Sequence, residues 1–203
     1  MMHNFFDSRN YNRPVFESEN FLVIPSLGSL VEGWLLIVPK RFHLNFSQLS
    51  PSNFSELEIL ISQLAQRFLP MFNADQFVVF EHGPTLENSV AGCGVDYAHL
   101  HWIPTNFDLL EGVKVFLNLD YTWRVMSELK DIKDHNVNDD DYLYLRNQKG
   151  QHLLTCQEHV PSQTFRKVIA HYLDIPNSYD WKLNQGVENI ESVYTKLDLH
   201  KLQ

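Results

Sequence analysis

Cysteine is rare in this chain of 203 residues, which has it only at positions 93 and 156. Two thiols allow at most one disulfide and cannot form a zinc site of four cysteines, so the sequence excludes both a disulfide framework and such a site. Long apolar segments are lacking as well. The first 14 residues are polar, and no segment has the pattern of a signal peptide or a membrane-spanning helix. We therefore expect a cytoplasmic protein that does not enter a membrane.

Positive charge is also scarce. The chain has 16 Lys and Arg against 25 Asp and Glu, which gives a formal net charge of −9 with neutral histidines. General nucleic-acid binding relies on cations that neutralise phosphates, so we expect no stable nucleic-acid binding. A small anionic substrate can still be held by local donors. With 44% hydrophobic residues, the chain can bury a substantial core in one large or two small domains.

Histidine, in contrast, is abundant and concentrated in one place. Ten histidines are present, and two of them lie in the segment GCGVDYAHLHWIP at residues 92–104. In a β-strand, the side-chain period of two places Tyr97, His99 and His101 on one face and the apolar residues between them on the other. Two imidazoles in register after a glycine-bearing turn form a compact site that can hold a phosphoryl group or a metal ion.

The same segment resembles the signature of the histidine-triad superfamily of nucleotide hydrolases and transferases, in which His-x-His-x-His-x-x, with apolar residues at x, follows a glycine-rich turn. His99 and His101 match the second and third histidines, and Tyr97 takes the place of the first. A second block, FESENFLVIP at residues 16–25 and GWLLIVPKR at residues 33–41, resembles the N-terminal half of that family. The two blocks come in the family's order, and the resemblance covers about half of the chain.

The resemblance implies a reaction at phosphorus. The central histidine of the family, here His99, attacks the α-phosphorus of a small phosphate-linked nucleotide and forms a covalent nucleotidyl-histidine, which water or another acceptor resolves. A neutral imidazole suits this step because it is nucleophilic near pH 7 and is not repelled by the phosphate charge. His101 orients the pocket or donates to a non-bridging oxygen, while backbone N–H groups of residues 92–94 support the developing charge. Tyr97 is the third catalytic candidate, and we expect no cofactor.

Further pocket residues follow from the family's positions. Ser26 stands where many members carry a ribose-binding aspartate, and Trp34 stands where a histidine precedes the strand of the second block. Cys93 and Gly94 occupy the positions of a Gln-Ser or Gln-Thr pair that contacts the phosphate and the leaving group. Cys93 is either a reactive thiol or a small buried residue. Ser26, Cys93 and Gly94 are therefore candidate substrate-binding residues.

Three more candidates lie near predicted strand ends. Glu81 falls where an Asn or Gln often sits in the family, with His82 beside it, and both either line the site or make loop contacts. Lys40 follows the strand of the second block and can pair with phosphate. Arg166 and Lys167 would bring positive charge only if their helix packed over the histidines, and nothing in the sequence sets that packing. These two cations are left out of the predicted site.

The apolar periodicity predicts an α+β fold. Apolar runs and alternation predict strands over residues 15–17, 21–24, 34–38, 76–80 and 98–103. Between the third and fourth of these strands, apolar residues recur at helical spacing, with Asn53 and Glu56 as a capping pair and Pro70 at the end. We therefore expect a histidine-triad-like antiparallel sheet crossed by a helix of about four turns.

We divide the chain into a histidine-triad-like domain over residues 1–106 and a C-terminal extension over residues 107–203 that packs on it. The extension is expected to contain an acidic solvated loop, a hairpin of two strands and two helices, over residues 131–141, 142–146, 152–156, 165–173 and 187–197. Residues 162–170 and Trp181 resemble the tail of CwfJ-type relatives of histidine-triad proteins.

We favour a nucleotidyl hydrolase or transferase, and two other classes stay open. One is a catalytically weak relative that binds a nucleotide or a protein partner, which the departures from the family at Tyr97, Ser26 and Gly94 favour. The other is a metal-dependent hydrolase with His99, His101 and His82 as ligands, since neutral imidazoles coordinate zinc well. The sequence leaves open whether the chain forms the two-fold homodimer that is common in the family.

Overall fold

Eight strands in the described part of the chain pair into one antiparallel sheet. The structure is a computed structural model, and it describes residues 13–135, 140–157 and 160–200. The strands are β1 (Phe16–Glu17), β2 (Phe21–Pro25), β3 (Leu35–Pro39), β4 (Val78–Gly83), β5 (Leu100–Ile103), β6 (Arg124–Met126), β7 (Tyr142–Arg146) and β8 (His152–Cys156). They lie in the order β1-β2-β3-β5-β4-β7-β8-β6, and each neighbouring pair is antiparallel.

Five helices accompany the sheet in this part of the chain. They are α1 (Pro51–Met71), α2 (Leu109–Leu117), α3 (Ile132–His135), α4 (Thr164–Tyr172) and α5 (Val187–His200). An antiparallel sheet with helices packed on it confirms the predicted α+β class. Among the described residues, no helix combines the length and the apolar character that crossing a membrane requires.

Helix α1 crosses the sheet as the apolar spacing predicts, but its N-terminus lies earlier than expected. The hydroxyl of Ser50 accepts a hydrogen bond from the backbone N–H of Asn53 at 3.2 Å, so Ser50 is the N-cap. Glu56, the predicted partner in capping, reaches instead to the turn between β1 and β2. There its carboxylate accepts hydrogen bonds from the Ser18 hydroxyl at 2.5 Å and the Asn20 backbone N–H at 2.8 Å. Glu56 therefore ties the helix to the sheet rather than capping it.

The two faces of the sheet differ in chemistry because side chains alternate along each strand. Leu100 and Trp102 of β5 belong to the core that α1 covers. On the opposite face, termed the site face, His101 of β5 lies between Leu36 of β3 and Phe80 of β4. Helices α2 and α4 pack on the site face. The imidazole of His101 is therefore held between the sheet and these helices.

The sequence prediction misses two elements, α2 and β6, and differs in the acidic loop. Helix α2 has ordinary end signals, since the Asp108 carboxylate accepts a hydrogen bond from the backbone N–H of Glu111 at 3.1 Å and Asn118 closes the helix in the left-handed conformation. In the predicted solvated loop, Ile132 of α3 is buried in the core. Burial of this apolar side chain contradicts the prediction that the whole segment is solvated. Residues 136–139 of that loop lie outside the described part.

The strands that follow residue 106 continue the sheet formed before it. Strand β7 pairs with β4 from Val79 opposite Arg146 to Gly83 opposite Tyr142, and β8 and β6 follow outward. The hairpin of β7 and β8 has the predicted bounds, and α4 and α5 occupy the two predicted C-terminal helices. The division into two domains at residue 106 and the resemblance to CwfJ-type tails stay predictions.

Candidate functional site

A cavity opens on the site face between the sheet and the segment that begins with α4. The residues that line it are Ser26, Leu27, Leu36, His82, Cys93, Val95, His99, His101, Arg166 and Trp181. Its volume is about 50 Å³. Since one buried water molecule needs about 10–15 Å³ of such space, the cavity accommodates a phosphate group or a few water molecules, but not a whole nucleoside.

His99 lies just before β5 and presents one defined nitrogen as a base. Its Nδ1 lies 2.8 Å from the backbone carbonyl oxygen of Tyr97. A carbonyl oxygen only accepts hydrogen bonds, so Nδ1 carries the proton and the lone pair of the neutral ring is on Nε2. Burial lowers the pKa of His99, and the bond to the Tyr97 carbonyl opposes this shift only in part. His99 is therefore a neutral imidazole at pH 7 in the tautomer that a nucleophile at Nε2 requires.

His101 has the opposite tautomer. The indole N–H of Trp34 donates to its Nδ1 at 2.9 Å, and because indole nitrogen is only a donor, the proton of the neutral ring is on Nε2. Burial is the main cause that lowers the pKa of His101 well below its usual value. The ring is also stacked on Phe80, with centroids 4.4 Å apart. Centroids of the His99 and His101 rings are 5.0 Å apart, so the two imidazoles are neighbours in the cavity.

His82 is a third imidazole on the same face. It lies on β4 beside His101, with ring centroids 6.5 Å apart, and its Nε2 makes no hydrogen bond with any described residue. Burial first, and then the charges of His99 and Arg166, lower the pKa of His82 to about 3. A buried polar atom without a partner destabilises a fold by about 1–3 kcal/mol. The Nε2 atom of His82 is thus a buried polar atom without a partner, on a residue that lines the cavity.

Arg166 brings positive charge to the cavity from α4. Its guanidinium is 3% exposed, donates from Nε to the carbonyl oxygen of Tyr179 at 2.8 Å and from Nη2 to that of Gly28, and lies 4.9 Å from the centre of the Trp34 ring. Burial lowers its pKa to about 10, so it stays protonated at neutral pH.

The sequence prediction omitted Arg166. Its helix was recognised by periodicity, but which residues would face the histidines depends on packing across the whole chain.

The turn that precedes the histidines is held by the C-terminal half of the chain. Cys93 has a positive φ of 56°, and its Sγ accepts a hydrogen bond from the backbone N–H of Gln163 at 3.1 Å. The indole N–H of Trp181 donates to the carbonyl oxygen of Cys93 at 3.3 Å. Burial is the largest cause that raises the pKa of the Cys93 thiol. The Cys93 thiol is therefore protonated at pH 7 and is not an activated nucleophile. It contributes to the cavity only as part of its lining.

The structure gathers five of the nine predicted site residues around the cavity. These are Ser26, His82, Cys93, His99 and His101. It places Tyr97 beside the cavity but not in its lining: the phenol donates to the carbonyl oxygen of Pro39 at 2.8 Å, and its ring packs with Leu36 and Val38. The Tyr97 hydroxyl is therefore engaged by the backbone of Pro39, and Tyr97 is not among the lining residues.

Three other predicted residues also lie away from the cavity. Glu81 points to the α1 face because it is adjacent to His82 on β4, and its carboxylate accepts hydrogen bonds from the Phe46 backbone N–H at 2.8 Å and the Tyr142 hydroxyl at 2.5 Å. Lys40 lies at the end of β3, 3.8 Å from a carboxylate oxygen of Glu17. Gly94 lies in the turn after Cys93, outside the lining.

Comparison with known proteins finds similarity among solved structures only. No family model and no curated protein sequence matches it. A Hit-like protein involved in cell-cycle regulation from Bartonella henselae is 19% identical with a TM-score of 0.39, over 46% of this chain and 68% of that one. A hypothetical histidine triad nucleotide-binding protein from Sulfolobus tokodaii is 21% identical with a TM-score of 0.39, over 46% of this chain and 60% of that one.

A third similar structure covers more of the chain. Yeast Ap4A phosphorylase, solved in complex with Ap4A, is 13% identical with a TM-score of 0.47, over 83% of this chain and 73% of that one. The protein from Sulfolobus tokodaii bears the histidine-triad name. That is the superfamily which the sequence motifs resemble. Because every identity is below 25% and every TM-score below 0.5, a function for this protein has to be inferred from its own residues.

Proposed function

We propose that this protein is a nucleotidyl hydrolase or transferase of the histidine-triad type, which acts on a small phosphate-linked nucleotide through a covalent adduct on His99. The observation that carries this proposal is the pair of opposite tautomers. The Nε2 lone pair of His99 is a nucleophile, and the Nε2 proton of His101 is a donor for an oxygen of the attacked phosphate. The nucleophile has to be a neutral imidazole, and burial keeps both rings neutral at pH 7.

The two chemical steps balance with these residues alone. In the first, Nε2 of His99 attacks phosphorus, the bond from phosphorus to the leaving oxygen breaks, and the electron pair leaves with that oxygen. The ring becomes a phosphorylated imidazolium, whose Nδ1–H continues to donate to the carbonyl oxygen of Tyr97 and so shares its positive charge with that dipole. In the second step, water or another acceptor attacks phosphorus and gives its proton to solvent, and the electron pair of the P–N bond returns to Nε2.

The dimensions of the cavity restrict how the substrate binds. A space of about 50 Å³ takes phosphate groups but not a nucleoside, so the nucleoside lies at the mouth. Trp181, which is partly exposed there, offers an aromatic surface on which a base can stack. The same small volume and the position of Tyr97 favour the second candidate function, a relative that binds nucleotides and turns them over slowly.

The geometry gives less support to a metal-dependent hydrolase. Within residues 13–135, 140–157 and 160–200, no group of three His, Cys, Asp or Glu side chains is arranged to hold a metal ion. Nδ1 of His101 already accepts a hydrogen bond from Trp34. The hydrogen bonds of His99 and His101 therefore fit the roles of nucleophile and donor better than the role of metal ligands.

The adduct itself is the test. Purified protein is mixed with dinucleoside polyphosphates, nucleoside phosphoramidates or nucleotide sugars, quenched rapidly in base because a phosphoramidate is acid-labile, and measured by intact mass. We expect a nucleotidyl mass increment that maps to His99 and is absent in His99→Ala, with turnover in that variant reduced by several orders of magnitude. The matched control is His171→Ala, since His171 stacks on Phe116 outside the cavity. Robust turnover in His99→Ala, or an increment on Cys93, contradicts the mechanism.

A further inference from the structure

We propose that Arg166, together with His82, forms an oxyanion subsite that binds the phosphate of the leaving group, and that this subsite selects substrates whose leaving group is itself a phosphate. The inference rests on the proposed function for its kinetic consequence, while anion binding can be measured without turnover. Arg166 comes from α4 and is not part of the histidine motif.

The charge of Arg166 has no neutralising partner in the described structure. Among the described residues that line the cavity, Arg166 alone is charged at neutral pH. The guanidinium donates to two carbonyl oxygens, and no described carboxylate forms an ion pair with it. The negative charge of Asp180 raises the pKa of Arg166 without forming an ion pair with it. Asp180 instead accepts hydrogen bonds from the side chain of Gln163 and the backbone N–H of Lys182. A buried charge without a counter-charge is unfavourable, and an anionic ligand would remove that penalty.

His82 supplies a second, independent observation at the same place. The residue lines the cavity, and its Nε2 is fully buried and has no hydrogen-bond partner among the described residues. Arg166 is close enough for its charge to act on His82. An anion beside Arg166 would give both groups a partner, because a phosphate oxygen accepts the Nε2–H of neutral His82 in the tautomer that has its proton there. Phosphate oxygens fit, because guanidinium binds them through paired N–H donors.

The position of Tyr97 explains why the leaving group matters. A poorly stabilised leaving group must be protonated as it departs, and Tyr97, at the family's first-histidine position, donates to the carbonyl of Pro39 outside the cavity lining. Arg166 cannot act as that acid near pH 7, but it can stabilise an anion. When the P–O bond breaks, the electron pair goes to a phosphate oxygen, whose charge the guanidinium shares. No proton transfer is then required.

Binding of inorganic pyrophosphate at constant ionic strength tests the subsite. We expect Arg166→Met to weaken pyrophosphate binding at least about 10-fold relative to the wild type, the loss typical of a hydrogen-bonded charge. The matched control is Arg146→Met, because Arg146 also lies over an aromatic ring, Phe77 at 5.0 Å, but outside the cavity. It should change binding less than about twofold. Equal pyrophosphate affinity in the wild type and Arg166→Met would show that Arg166 only ties α4 to the loop at Gly28.

Two further measurements keep the test decisive if Arg166→Met is unstable. Arg166→Lys retains the charge but loses the paired donors, and His82→Phe removes Nε2 while keeping an aromatic ring between Phe80 and Phe165. Each should weaken pyrophosphate binding at least about threefold while thermal unfolding remains cooperative. Unchanged binding in both variants overturns the subsite.

The kinetic comparison uses two substrates with leaving groups of similar basicity. One is a dinucleoside polyphosphate, and the other is a nucleoside 5′-(p-nitrophenyl phosphate), whose leaving group has no phosphate oxygens. In Arg166→Met, kcat/KM should fall about 10- to 100-fold more for the first substrate than for the second. Equal losses would refute leaving-group selection. If neither substrate is turned over by the wild type, the proposed function fails, and pyrophosphate binding still decides the role of Arg166.

Discussion

The indole N–H of Trp34 donates a hydrogen bond to Nδ1 of His101 over 2.9 Å, although the two residues lie 67 positions apart in the chain. This bond decides which nitrogen of His101 carries the proton. Without it, both tautomers become accessible and the N–H group next to His99 is present only part of the time. Trp34 stands where the resembled family has a histidine, and in this chain its indole N–H determines the tautomer of His101.

Replacing Trp34 with Phe removes this N–H and keeps an aromatic ring. We expect kcat to fall at least about 10-fold with a smaller change in KM, because one donor to the transition state is lost. The free energy of unfolding should fall by about 1–3 kcal/mol, since Nδ1 of His101 is left buried without a donor. Trp102→Phe is the control: its indole nitrogen is buried and has no hydrogen-bond partner among the described residues. If both variants lose the same activity, the tautomer argument is wrong.

The phenol of Tyr97 can be tested by removing its oxygen. Tyr97→Phe deletes the hydrogen bond to the carbonyl of Pro39 and leaves the ring in place. We expect a loss of about 0.5–1.5 kcal/mol in the free energy of unfolding, while the turnover rate should change less than about twofold. Chemical denaturation and steady-state kinetics on the same preparation measure both. If turnover of a substrate with a poor leaving group instead slows by about two orders of magnitude, the loss typical of a general acid, Tyr97 regains a catalytic role.

Glu81 predicts a dependence of stability on pH. Burial raises the pKa of its carboxyl to about 8 from 4.5, although hydrogen bonds from Tyr142 and Phe46 oppose this. The folded chain therefore holds this proton more tightly than the unfolded chain does. The resulting stabilisation is fully present below about pH 4.5, decreases as the pH rises, and is lost above about pH 8.

Glu81→Gln should remove that dependence. Urea denaturation from about pH 5 to about pH 9 is expected to give a flatter curve of unfolding free energy against pH for this variant than for the wild type. The exposed Glu87, changed to Gln, is the control and should retain the wild-type slope. A wild-type stability that is constant over this range would show that Glu81 is ionised in the fold.

Substitution of Gly28 by Ala tests how tightly the C-terminal segment packs over the cavity. It has φ of +79°, and a methyl group there would come within 2.4 Å of Cβ of Trp181 and 2.8 Å of Nη2 of Arg166. Gly150 has φ of +78° but nothing within 4 Å of the added carbon. Gly150→Ala should therefore lose about 1–2 kcal/mol from backbone strain alone, while Gly28→Ala should lose a further 1–3 kcal/mol, roughly, from overpacking. Equal losses by thermal or chemical unfolding would mean that Trp181 moves aside freely.

The site was predictable where it depends on local periodicity. The period of two correctly separates His101 from Leu100 and Trp102, and the same rule applied to β4 would have sent Glu81 to the face opposite His82. It could not reveal Arg166, because no local pattern says which side of α4 meets the sheet.

The fold, like the site, was predictable only where it depends on local sequence patterns. Strand pairing by hydrophobic pattern and the helix at α1 were accessible from the sequence, and the end signals at Asp108 and Asn118 were present for α2. The bond from Trp34 to His101 and the contact of Trp181 with Cys93 join distant parts of the chain. Such contacts follow from tertiary packing, which periodicity does not encode.

The pairing of β4 with β7 also determines whether a truncated form of this protein would remain monomeric. A fragment that stops at residue 106 would retain the histidine motif, but β4, the strand that carries His82, would become the border of the sheet. Its backbone N–H and C=O groups, now paired from Val79 to Gly83, would be open to strands of other molecules. We expect such a fragment to self-associate on expression, so a minimal version of this protein has to include the β7–β8 hairpin even if only the chemistry of the imidazoles is wanted.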